Sequence, residues 1–195
     1  MHSYGQERPV YPAAEAGEQP QILRIQDFEG LNRRSVIETP QYDTNMRGGV
    51  KEEREWVEIR TTYDTAPEWI DNLTFQYYAM SRTEVEGRPA YSLFTETVTY
   101  ADIQKDDDHF STAYLRPAAV LRYGELVAIA VEIRFEGDLI AYVSDKEDNN
   151  LPADWWKNKQ VLNSDILTER AGYLLDRKSS PFAYINIEDY EFIQE

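Results

Sequence analysis

The chain contains no cysteine, which removes disulfides, thiolate metal ligands and a cysteine nucleophile together. Histidine is nearly missing as well. Only His2 and His109 occur, and no GxSxG turn or similar nucleophile motif accompanies either, so no catalytic residue is expected. P-loop and dinucleotide glycine fingerprints are missing, and no cofactor is expected. Basic residues are few: 20 Lys and Arg face 36 Asp and Glu, a net charge of −16 at pH 7. That field repels phosphate backbones and anionic lipid surfaces, so nucleic acid is not an expected partner. No run approaches the roughly 18 apolar residues of a membrane span, and membrane insertion is not expected. The opening residues MHSYGQERPVYP lack the apolar stretch of a signal peptide, so export would imply a leader already removed.

What the chain has in quantity is tyrosine and alternation. Fourteen tyrosines within a 42% hydrophobic composition suit half-buried strands and are enough for a core. In LVAIAVEIRFEGDLIAY (126–142), Val127, Ile129, Val131, Ile133 and Phe135 share one face at the period of a pleated strand. Glu136-Gly137-Asp138 is expected to form a three-residue turn, after which Leu139, Ala141 and Val143 resume the pattern. The same period recurs over 57–63, over 73–79 after a loop at 64–72, over 91–101 after the Glu86-Gly87-Arg88-Pro89 reversal, and over 110–115 up to Pro117. Phe182–Ile187 alternates too. Short helices are expected over Pro152–Lys159, capped by Asn150, and from Ser164 to Arg170, stopped by Gly172.

About seven strands joined in this way predict an all-β fold with short helices, an antiparallel β-sandwich. Residues 1–20, with Pro9, Pro12 and Pro20, read as a flexible, extended N-terminal arm. Residues 21–54 read as an ordered or partly ordered lead-in, with a strand or helical turn over Ile22–Phe28 and a joint at Arg47-Gly48-Gly49. The sandwich domain is expected over 55–195.

Several motifs carry possible chemistry. Asp106-Asp107-Asp108 and the loop 145–150 are rich in the oxygen ligands that calcium takes. The calcium-loop template fails, because Asn150 stands where glycine is needed and Trp156 where the bidentate glutamate is needed. The expectation is solvated loops and no metal. Paired carboxylates for glycoside cleavage have no specificity among 36 acidic residues. His109 reads as a solvated turn residue. Asn72-Leu73-Thr74 matches the glycosylation pattern, but Leu73 opens a buried face. Trp69, Trp155 and Trp156 are the candidate ligand or partner contacts, since exposed indole faces stack on sugars and anchor interfaces. Adjacent indoles on a short helix point apart, so one of Trp155 and Trp156 is expected in the core and the other partly exposed.

The segments RYGELVAIAVEIRFEGDLIAYVSD (122–145) and SSPFAYINIEDYEFI (179–193), set in an acidic cysteine-free body, resemble the small immunoglobulin-like proteins of the Akkermansia-type (Verrucomicrobia) type IV pilus gene cluster. The resemblance covers most of 50–195. It implies an exported immunoglobulin-like sandwich at the cell surface, outer membrane or periplasm, acting without catalysis in pilus formation or host contact. Its partners would be pilus components, host surface proteins or further copies of itself, and no residue roles come with it. Main-chain addition at a sheet edge is a physical route to such association, with Ile22–Phe28 or Phe182–Ile187 as the expected strand. The alternative is a carbohydrate-binding module on the same sandwich, with Trp69, Trp155 or Trp156 as stacking platform.

Overall fold

A computed structural model describes residues 22–41 and 54–194; the expected arm over 1–20 and the joint at 47–49 lie outside the described residues. In chain order the elements are β1 (Leu23–Glu29), β2 (Val36–Glu38), β3 (Glu55–Thr65), β4 (Trp69–Val85), β5 (Arg88–Gln104), β6 (His109–Leu115), helix α1 (Pro117–Tyr123), β7 (Leu126–Phe135), β8 (Asp138–Lys146), helix α2 (Lys159–Leu162), β9 (Leu167–Glu169), β10 (Leu174–Asp176) and β11 (Phe192–Ile193). One sheet runs β1-β3-β6-β10, with β2 beside β1 on the same edge of β3. The other runs β11-β5-β4-β7-β8. Placing β1, β3 and β6 against β5, β4, β7 and β8 gives the strand order of an immunoglobulin-like sandwich whose fourth strand has joined the second sheet. The sandwich begins at Leu23, because the 21–54 lead-in supplies two strands of the first sheet.

Alternation explains the strands and their register. Ile59 and Tyr63 of β3, Phe75 and Tyr77 of β4, and Val131 and Ile133 of β7 meet between the sheets. β4 and β5 pair from Trp69↔Gln104 to Val85↔Arg88, closed by the two-residue turn Glu86-Gly87. β7 and β8 close in the same way through Glu136-Gly137, one residue shorter than expected, since Phe135 pairs with Asp138. Both turn residues have positive φ in each case, the backbone that matches the twist of a tight hairpin. β3 runs to Thr65 and β4 starts at Trp69, so the loop expected over 64–72 shrinks to 66–68.

Each sheet is also covered on its outer side. Met80, Leu93, Ala128 and Ala130 pack under Trp155 and Trp156 of the 147–167 crossover. Trp56, Tyr114 and Leu175 pack under Phe182. β7 is therefore buried on both faces, and the small Ala128 and Ala130 leave room for the indoles.

Other expectations fail for local reasons. Pro117 ends β6 and also opens α1 as its first residue, a position where its missing N–H costs nothing. Residues 152–157 form turns; the helix lies at Lys159–Leu162, capped by Asn158, whose Oδ1 accepts from the Gln160 N–H at 3.0 Å. The expected helical turn after Ser164 is instead β9, parallel to Tyr91–Leu93 of β5, which makes this sheet mixed. Phe182–Ile187 runs through turns and bends into a 3-10 turn at Ile187–Asp189. Its approach is set by side-chain bonds to backbone, Ser180 Oγ to the Arg177 carbonyl at 2.8 Å and the Phe182 N–H to Ser180 Oγ at 3.1 Å, which compete with a ladder.

Candidate functional site

The three tryptophans separate. Trp69 is 58% exposed at the start of β4, whereas Trp155 is fully buried and Trp156 is 3% exposed. Trp156 donates from Nε1 to Glu132 Oε1 at 3.2 Å, and its ring tilts against Tyr142. The expectation that one of the pair stays partly open is corrected: both serve the outer core, and a stacking platform keeps Trp69 alone. The glycosylation pattern sits inside β4, where Asn72 pairs with Ala101 and Thr74 Oγ1 lies 3.0 Å from Thr99 Oγ1.

His109 is buried, contrary to its reading as a solvated turn residue. Its Nδ1 lies 2.8 Å from Glu191 Oε1, its Nε2 lies 3.2 Å from Thr65 Oγ1, and its ring stacks on Tyr63. The contact joins the first strand sheet to the C-terminal segment that feeds β11. Among the described residues no group of three or more His, Asp or Glu is placed to hold a metal ion, and no helix is long and apolar enough to cross a membrane.

The acidic loop after β8 forms part of a site that the sequence did not single out. Asp148 is turned inward: Oδ2 accepts from the Tyr91 hydroxyl at 2.7 Å, Oδ1 accepts from the N–H and Nδ2 of Asn150 at 2.9 Å, and Arg82 lies 3.7 Å away. Burial pushes this carboxyl up, but the Tyr91 and Asn150 hydrogen bonds and the Arg82 charge outweigh it and hold it below the usual carboxylate range. Directly beside it, a cleft of about 570 Å³ opens between the outer face of β4 and β5 and the crossover carrying α2. Met80, Leu151, Val161 and Leu167 give it apolar walls, and Asn149, Asn150, Gln160 and Ser164 supply amides and a hydroxyl.

A second cleft of about 410 Å³ lies along the C-terminal segment. Arg177 shapes it, its guanidinium 3.7 Å above the Tyr190 ring and donating to the Ile185 carbonyl. Three apolar side chains of its lining stand open to solvent: Tyr184 at 78%, Ile187 at 58% and Phe192 at 66%. Phe182, by contrast, is buried and stacks on Tyr114 with ring centroids 4.6 Å apart. Because 182–187 is not a strand, it offers no ladder to a neighbour; β1 remains an edge strand, interrupted by a bulge between Ile25 and Asp27.

Comparison with known proteins gives a family model matching residues 27–195. A search of curated proteins finds no match. Among solved structures, a crystal structure from Akkermansia muciniphila matches with a TM-score of 0.72 at 18% identity, covering 89% of this chain and 93% of that one. At that identity the likeness establishes the sandwich and its topology.

Proposed function

This chain belongs to the family whose model spans residues 27–195, and from that premise, together with the likeness of its fold to a protein of Akkermansia muciniphila, we propose that it is a non-enzymatic interaction protein of a type IV pilus or cell-surface assembly. It works after export, in the periplasm or at the outer surface, and its partners are proteins. The observation that supports this reading is the open apolar trio Tyr184, Ile187 and Phe192 around the C-terminal cleft. In a chain of net charge −16, contiguous exposed apolar groups are a cost to solubility, and such patches usually mark a docking surface. The occupant is an apolar protein segment, for which a cleft of this size between fixed rings is a suitable anchor pocket.

The test is a binding titration of the purified chain against purified type IV pilus proteins, with Ile187→Asp and Phe192→Asp as variants. Each exposed substitution is expected to leave the melting temperature unchanged and to weaken binding at least about tenfold, as loss of a hot-spot contact does. Undiminished binding by both variants would reject the docking surface. Failure of every pilus protein to bind would reject the assembly role.

A further inference from the structure

The cleft under the 147–167 crossover has a chemistry of its own. In a chain with 29% charged residues, no Asp, Glu, Lys, Arg or His lines it. Its polar groups are amides and hydroxyls, each able to donate and to accept. The side chains of Asn149, Gln160 and Ser164 have no hydrogen-bond partner among the described residues. Asn150 gives its Nδ2 to Asp148 and keeps its amide oxygen unpaired. Asp148, compensated by Tyr91 and Arg82, fixes two wall residues from behind without lending the cleft a free charge.

These features narrow the ligand. An anion meets a net-negative protein with no cation in the cleft, and a cation finds no carboxylate in the lining. A hydrocarbon would bury the unpaired amides without partners, which costs about 1–3 kcal/mol per group. A volume of about 570 Å³ falls in the range of small-molecule sites. We infer that this cleft binds a neutral saccharide, whose hydroxyls both donate and accept and whose C–H face lies on Val161, Ile166 and Leu167. The site is separate from the C-terminal docking surface, and neither depends on the other.

The test is a nuclear magnetic resonance titration of the full chain with glucose, galactose, N-acetylglucosamine and their β-linked disaccharides, with triglycine as a neutral non-sugar. Saturable shifts confined to 149–167 and the start of β5 are expected for at least one sugar. The double variant Asn149→Ala/Gln160→Ala, both positions exposed, is expected to weaken that sugar at least about tenfold with an unchanged amide spectrum elsewhere. Trp69→Ala is expected to leave binding unaltered. The assignment is overturned if no sugar gives saturable shifts, if they map to Trp69, if the folded double variant binds as well as the parent, or if triglycine saturates the cleft and sugars do not.

Discussion

Tyr77 shows how the centre of this sandwich uses a polar side chain. Its ring lies between the sheets, and its hydroxyl donates to Ser111 Oγ at 2.8 Å and lies 3.0 Å from Thr61 Oγ1. Tyr77→Phe is expected to cost about 1–3 kcal/mol, because the buried hydroxyls of Thr61 and Ser111 each lose a partner; a thermal or urea melt reads the loss, and an unchanged midpoint would contradict it. Burial pushes the Tyr77 and Tyr63 phenols well above their ordinary value of 10.0, and Tyr100 up to about 12. The unfolded chain releases these protons near pH 10 and the folded chain holds them. Their stabilisation is therefore complete below pH 10 and declines as pH rises through the folded values. Phenolate absorbance should show a fraction of tyrosines ionising only as circular dichroism reports unfolding. Ionisation of all fourteen near pH 10 without unfolding would refute this.

The link from α1 into β7 is held by the end of β4. Ser81 Oγ donates to the Tyr123 carbonyl at 2.9 Å, and the Arg82 N–H donates to Glu125 O at 3.1 Å. Gly124 adopts φ 87, and a Cβ there would meet the Arg82 carbonyl oxygen at 2.0 Å. Gly124→Ala is expected to cost about 3 kcal/mol or more, since backbone must move. Gly172→Ala, with open space around it, is expected to cost only about 1 kcal/mol of conformational strain. Equal midpoints for the two variants in denaturant melts would refute the close contact. None of this was readable in the sequence: α1 exposes Leu121 and buries only one side, too short a run for a helical period to register. The alternation of 182–187 was readable but misleading, because period alone cannot say whether a neighbouring strand is available or whether Ser180 has already taken the backbone bonds.

For the molecule taken together, strands β3 to β8 were legible because each buries one face against the opposite sheet, and that single demand imprints a period of two. The outer coverings were not legible. Trp155 and Trp156 close over Ala128 and Ala130, residues far away in sequence, and the second face of β7 reads as ordinary small spacers until the crossover is seen lying on it. The neutral cleft was hidden for the same reason: Tyr91 and Met80 come from one hairpin, Asn149 and Asn150 from a loop that looked like a solvated acidic run, and Gln160 from the helix beyond it. The pairing of β4 with β5 along their full length has a kinetic corollary. This hairpin closes across two residues, whereas β3 meets β6 only after the chain has traversed both of its strands, so it forms at lower loop entropy than that pairing, and being longer than the equally tight β7–β8 hairpin it should organise the transition state. In stopped-flow refolding, Val98→Ala in β5 is expected to slow the folding arm, and Ile59→Ala in β3 chiefly to hasten unfolding. The opposite partition would place the nucleus in the other sheet.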